Sequence, residues 1–296
     1  MVHTHMTGPA ILALTSAIAF AVAAVLLKRG LQYATPLSAV LVSVHFTAAT
    51  VWILAAATQP LSAHLAGRVW PFLVAGLAAP GLARLGVYLG VDRVGASRAS
   101  ALASFAPLFA TIMAMLTLGE HPTAGLLGGT VAIVAAGILL AHRQRDDHAW
   151  RRRDLVFPIL GAFGYAVRDN VSRWGLTDFP HPLVAAAVAT AASVVVMWAV
   201  VLVTRGTKPI SVAWTGLWFL ALCGLAEGIA YLTMWRALLL GAVSVVSPLV
   251  GSYSICTVVL AWLFLRDLER VTWQIALAAV LVVVGVGLII GFGGAS

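Results

Sequence analysis

Gly95-Ala-Ser-Arg-Ala-Ser-Ala-Leu-Ala-Ser-Phe-Ala-Pro107, with Leu118-Gly119-Glu120 behind it, decides the fold together with its echo, Gly241-Ala-Val-Ser-Val-Val-Ser-Pro248 followed by Leu265-Arg266-Asp267. Laid over one another without gaps, Val94–Glu120 and Gly241–Asp267 pair Ser97 with Ser244, Ser100 with Ser247, Leu102 with Leu249 and Leu118 with Leu265. Glu120 meets Asp267, and Pro107 meets Ser254. Each copy is an apolar run of about the 20 residues that cross a bilayer as a helix. Each opens on small residues, which let neighbouring helices approach. A second alignment sets Phe20 and Lys28-Arg29-Gly30-Leu31 beside Tyr165 and Arg173-Trp174-Gly175-Leu176. With one inserted residue it continues to Pro36-Leu37 and Pro182-Leu183. Shared order and spacing over elements of one kind mark a duplicated unit.

Reading outward from these stretches, ten apolar runs emerge in two sets of five. The first set is Pro9–Leu27, Leu37–Ala57, Trp70–Val91, Ala99–Leu118 and Thr123–Ala141. The second is Leu155–Arg173, Leu183–Val203, Trp214–Arg236, Gly241–Leu265 and Val271–Phe292. Five is odd, so two such units in one chain run through the membrane in opposite senses. The expected fold class is all-α integral membrane, with ten transmembrane helices as two inverted five-helix repeats. The first repeat covers residues 1–145 and the second residues 155–296, with a polar linker at 146–154. That linker lies in His142–Asp154, HRQRDDHAWRRRD, the most polar stretch of the chain. Inverted repeats are an architecture of secondary transporters, which bind solute where the repeats meet.

Composition agrees and excludes alternatives. Of 296 residues, 61% are hydrophobic and 9% charged, and the mean hydropathy is +1.01. A soluble domain carries about 25% charged residues; this chain cannot cover a water-facing surface. Its net charge of +8 sits mostly at span ends, where Lys and Arg orient helices and anchor in headgroups. Nucleic acid is therefore not an expected partner. Cys223 and Cys256 fall inside spans and read as small core residues. Met1–Gly8 holds no Lys or Arg, so the first span reads as retained and not as a cleaved signal. No HExxH, paired-cysteine metal site, P-loop or dinucleotide fingerprint is present. No cofactor, metal site or catalytic residue is expected, and transport would draw on a gradient.

The Gly95–Pro107 stretch with Leu118-Gly119-Glu120 resembles the fourth-helix signature of the EamA-type drug/metabolite transporters: small-residue helix start, mid-helix proline, Gly-Glu end. Gly241–Pro248 with Leu265-Arg266-Asp267 is similar to its second copy. The resemblance covers nearly the whole chain and implies ten helices in two inverted repeats. It is silent on substrate. Two departures stand out. Ser254 replaces the proline and Asp267 the glutamate in the second copy, so a kink or end-of-helix contact is expected to differ between halves.

The ionisable groups within spans are Arg84 in the third, Arg168 and Asp169 in the sixth and Glu227 in the eighth, with His45 in the second. A charge at mid-bilayer costs about 2.5–3.5 kcal/mol on insertion scales, so such groups face a cavity or a partner. Spans three and eight are repeat equivalents. Arg84 and Glu227 are thus expected to converge across the repeat interface, where Arg grips a carboxylate and Glu holds an ammonium or a transported proton. The alternative is a purely structural ion pair. Phe20, Tyr165, Tyr88 (four residues after Arg84), Tyr231 and Trp235 (after Glu227) flank these charges and form an expected aromatic wall. Asp169 reads either as a gate or cation contact or as part of a helix end near headgroups. Arg168, Asp169 and Asn170 point about 100° apart in turn, so they do not all face one cavity. His45 reads as bonded within the bundle. Pro107 and Pro248 are expected to kink spans four and nine.

The function expected is a secondary transporter, an exporter, of a small metabolite, amino acid or amphipathic drug-like solute by alternating access with protons as coupling ion. Its partners are that solute and the bilayer, its state a monomer, its place the cell membrane as a multi-pass protein. The alternatives are a membrane-embedded enzyme or a non-transporting scaffold or sensor. The side bearing both termini carries Arg68, Arg173 and Arg236. The other carries Lys28, Arg29, Arg93, Arg98, the linker arginines, Arg205, Lys208, Arg266 and Arg270. Positive charge accumulates in the cytoplasm, which places both termini outside, against the resembled family's usual orientation.

Overall fold

A computed structural model describes residues 3–58, 68–94, 96–141, 151–205, 212–264 and 273–292. Among the described residues the regular elements are helical, apart from an isolated antiparallel bridge between Ala34 and Val212. The helices are α1 (His3–Gly30), α2 (Pro36–Thr58), α3 (Trp70–Gly76), α4 (Ala83–Val94), α5 (Ala96–Ala103), α6 (Ala106–Thr117), α7 (Ala124–Ala141), α8 (Val156–Asp178), α9 (Pro182–Arg205), α10 (Trp214–Leu240), α11 (Val243–Gly251), α12 (Tyr253–Phe264) and α13 (Trp273–Phe292). Among the described residues, seven helical stretches are long and apolar enough to cross a membrane, and Ala101–Thr117 and Ala124–Leu140 are shorter apolar helices. α8 has a span's length, 23 residues, but carries Arg168, Asp169, Arg173 and Asp178 and is not among the seven. Linker residues 142–150 and Leu265-Arg266-Asp267 lie outside the described residues.

Among the described residues three helical rods are broken, and each break has a cause in the sequence. α3 and α4 are joined by a π-helical turn, Leu77–Leu82, in which Ala79 is extended at φ −153°, ψ 136°. Pro80 follows it; proline lacks the N–H and pushes the preceding residue out of the helical region. α5 and α6 part at Ser104-Phe105, with Pro107 in the first turn of α6, where a missing N–H costs nothing. α11 and α12 part at Ser252, the residue that aligns with Phe105. No proline stands there. Instead Ser252 Oγ donates to the Leu249 carbonyl at 2.6 Å, competing with the helical ladder. The break recurs in both copies while its chemistry changes. Pro248 lies inside α11 without ending it.

The packing crosses between the halves. α1 lies along α10 and against α11 and α12; α8 lies along α4 and against α6. α2 packs on α10 as α9 packs on α3, and α2 meets α9. α7 pairs with α13, where Gly129 and Gly285 face one another and a Cβ on either would stand within 2.8 Å of the other's carbonyl oxygen. At Gly76 the approach is closer: a Cβ there would lie 2.0 Å from the Ala189 carbonyl oxygen. These are contacts that small residues permit between membrane helices.

The two ends of the bundle differ. At the face where α10 ends (the Leu240 face), Phe72, Leu176, Phe179, Trp235 and Leu238 form one buried cluster with alanines of α1, α2, α6 and α9. Toward the opposite face, where α1 ends at Gly30, the centre of the bundle is hollow.

Candidate functional site

The hollow is a cavity of about 270 Å³, just below the 300–1,000 Å³ usual for ligand pockets. Both halves line it. α1 contributes Phe20, α4 Arg84, α8 Tyr165, Arg168 and Asp169, α10 Glu227 and Tyr231, and α11 Ser247. The bends place several of these. The Pro80 turn precedes Arg84 by one helical turn, and residues at or beside the other two breaks, Ser104 and Gly251 with Tyr253, lie in the wall.

Two ion pairs face this space. Arg84 Nη2 donates to Glu227 Oε1, tying the first half of the chain to the second. Thr47 Oγ1 donates to the other oxygen, Glu227 Oε2, at 2.9 Å. The second pair is built within one helix. Arg168 Nε and Nη2 reach Asp169 Oδ1 at 2.8 and 2.7 Å, and Ser247 Oγ donates to Asp169 Oδ2 at 2.8 Å. Each carboxylate thus holds one guanidinium and one hydroxyl, drawn from different helices. All four charged side chains are at most 13% exposed. The guanidinium of Arg168 stands over Tyr165 at 5.1 Å and Tyr231 at 5.8 Å. Phe20 meets Tyr231 edge-on at 5.4 Å. The result is a neutral pair of dipoles inside an aromatic wall, suited to a solute with apolar area and polar ends.

Of the residues singled out by sequence, Arg84, Glu227, Tyr231 and Asp169 come together here. Trp235 does not line the cavity. It is 1% exposed in the Leu240-face core, its ring 5.6 Å from Phe72. The side chain of Tyr88 lies outside the described residues. The Arg168-Asp169-Asn170 triplet sits mid-helix, because α8 runs on to Asp178 and does not end at Arg173. Arg168 and Asp169 both reach the cavity despite their 100° separation, since the long Arg stem swings its head back. Asn170 turns away and donates to the Ala110 and Ala166 carbonyls at 3.0 Å. His45 bonds within the bundle: its Nδ1 lies 2.7 Å from the Leu41 carbonyl, and Trp198 Nε1 donates to its Nε2 at 3.0 Å. Among the described residues no cluster of His, Cys, Asp and Glu could hold a metal.

Comparison with known proteins gives the lineage. The model of the EamA-like transporter family matches twice, over residues 7–141 and 154–291. The chain belongs to the EamA-like transporter family. The two EamA-like matches, with the apolar helices, make it a multi-pass membrane protein of a transporter family. A solved crystal structure is similar to this EamA-like chain with a TM-score of 0.79 and 15% identity, covering 95% of this chain and 96% of that one. At that identity the likeness concerns the fold. No curated protein matches the chain.

Of the other residues of this EamA-like cavity, sequence names Arg168, Phe20 and Tyr165 as in-span charge and flanking aromatics without placing them in the site, and it gives no place there to Thr47 or to Ser247 in particular. Signals existed for some. Phe20 and Tyr165 were already partners in the repeat alignment, and Ser247 is paired there with Ser100. Thr47 had none, for a threonine in an apolar helix reads as packing.

Proposed function

We propose that the chain is a secondary transporter that exports a small metabolite, amino acid or amphipathic drug-like solute by alternating access. It would do so as a monomer of ten transmembrane helices in the cell membrane, two inverted five-helix repeats of residues 1–145 and 155–296. Reciprocal packing supports the repeat: α1 on α10 mirrors α8 on α4, and α2 on α10 mirrors α9 on α3. The observation that carries the function is the cavity between halves, crossed by a bond from Arg84 of one to Glu227 of the other. Rocking of the halves alternates the exposure of a site at their interface, and a pair that spans it is loaded or released by that motion. Glu227 is the group that would exchange a proton as Arg84 lets go. Arg84 would hold a solute carboxylate. Asp169, with Arg168, and Tyr231 would complete the site; Tyr88 is kept as a proposed wall residue.

Reconstitution into liposomes with a panel of radiolabelled amino acids and organic cations tests this. Flux above empty vesicles is expected for one class. Glu227→Gln is expected to remove its pH dependence while leaving folded protein in the membrane. Arg84→Ala should weaken anionic and zwitterionic solutes more than cations. If both variants transport normally across pH, the pair is structural; if no solute of the panel moves, the enzyme and scaffold readings gain.

A further inference from the structure

We infer that the solute route continues beyond the cavity into the packed half, and that Ser172 and Trp235 line this closed stretch. The inference rests on the transport reading above.

Residues three or four apart share a helix face. On α8 the cavity column Tyr165, Arg168, Asp169 runs on to Ser172. On α10 the column Glu227, Tyr231 runs on to Trp235. The earlier members of each column line the cavity. Ser172 and Trp235 are instead buried, at 0% and 1% exposure. The two helices are adjacent at this depth, because Arg173 Nη1 donates to the Leu238 and Leu239 carbonyls at 2.8 and 2.7 Å.

Both residues carry a polar atom with no partner. Ser172 Oγ and Trp235 Nε1 are buried and make no hydrogen bond among the described residues. A buried polar group left unpaired keeps its full desolvation cost. Alanine and phenylalanine would fill the same places without it. Buried hydroxyls elsewhere in the bundle are bonded: Ser16 to the Ala230 carbonyl, Thr111 to Pro107, Thr190 to Ala186 and Ser193 to Gly76. The unpaired pair therefore falls on the extensions of the cavity columns. Asn170 Oδ1 is unpaired too, one turn beyond Ala166 on the α6 side of α8. In a conformer open at the Leu240 face, Ser172 Oγ and Trp235 Nε1 meet water or solute. In the present conformer the Trp235 ring, edge-on to Phe72 beside Phe179, shuts the route.

Thiol accessibility tests this without knowing the solute. Cys223 and Cys256 are replaced by alanine, and Ser172→Cys or, as a control, Ser193→Cys is introduced. Vesicles are sorted to one orientation by a tag after Ser296, and a charged, membrane-impermeant methanethiosulfonate is applied at the Leu240 face. The Ser172→Cys variant is expected to react at least tenfold faster than Ser193→Cys. Adding Trp235→Phe relieves the unpaired N–H of the closed conformer and should slow that reaction several-fold. If Ser172→Cys does not fold, Leu238→Cys, one turn past Trp235 on the same column, carries the same expectation. A rate equal to the control, reaction from the Gly30 face alone, or indifference to Trp235→Phe overturns the inference. A failed solute panel would instead overturn the transport reading, since no flux enters this measurement.

Discussion

The hollow half of the bundle and the packed half are built from the same helices with different side chains at their centre. α10 passes from Glu227 through Tyr231, both at the cavity, to Trp235 and Leu238, both in the core. α8 passes from Arg168 and Asp169 to Leu176 in the same way. Around the cavity, long polar side chains fill the central space, although neighbouring helices still touch at Gly86, Gly161 and Gly224. At the Leu240 face, backbones touch: Gly76 stands against Ala189, and Ser193 Oγ donates to the Gly76 carbonyl at 2.9 Å. The difference teaches that the ion pairs of this interior are kept where there is volume, while in the packed half the partly buried guanidinium of Arg173 is answered by backbone carbonyls instead.

If that division is right, the costliest single changes are those that orphan a charge in the hollow half. Asp169→Ala leaves Arg168 buried without its carboxylate, and removing one partner of a buried pair costs about 3–5 kcal/mol. Thermal melting in detergent micelles should show it as the largest loss, with Arg168→Met added to Asp169→Leu recovering most of it. A melt unchanged by Asp169→Ala would mean that the pair is solvated from the cavity. In the packed half, Gly76→Ala drives a methyl into backbone and should cost about 1–3 kcal/mol, the usual range for overpacking. Should it exceed Asp169→Ala, close packing and not charge dominates the bundle.

Smaller effects sharpen the contrast at the rim. Glu120 accepts from the Val243 and Ser244 N–H groups at 2.7 and 2.9 Å, capping α11 from the end of the other half's broken rod. Gly119, at φ +67°, makes the turn that brings it there. Glu120→Ala should cost about 1 kcal/mol, as loss of a helix cap does, read by the same melt. Arg68 and Asp178 pair at 2.9 Å on the same face but are more than half exposed. Arg68→Ala should cost about 0–1 kcal/mol and less still in high salt. An Arg68→Ala loss as large as that of Glu120→Ala would show the rim to be drier than this.

Much of this was legible in the chain. The repeat could be read because small-residue starts and helix ends recur at fixed spacing. Arg84 and Glu227 could be found because charge is rare in apolar helices and must be answered. Trp235 was misplaced because periodicity says which face a residue occupies, not at what depth that face turns from hollow to filled. Arg168 was discounted because angular spacing places Cα positions, while a guanidinium reaches far from its own. The Ser252 break carried no proline to announce it.

Glu120 also imposes an order on the making of the protein. It is 123 residues ahead of Val243 in the chain. At roughly 5–20 residues per second of synthesis, it precedes the amides it serves by about 6–25 s. The first half thus reaches the membrane carrying a finished carboxylate that has nothing yet to hold. When α11 emerges, its N-terminus finds that acceptor waiting. A second half synthesised alone would begin that helix with two bare amides, so the start of the helix is completed only by a neighbour born earlier.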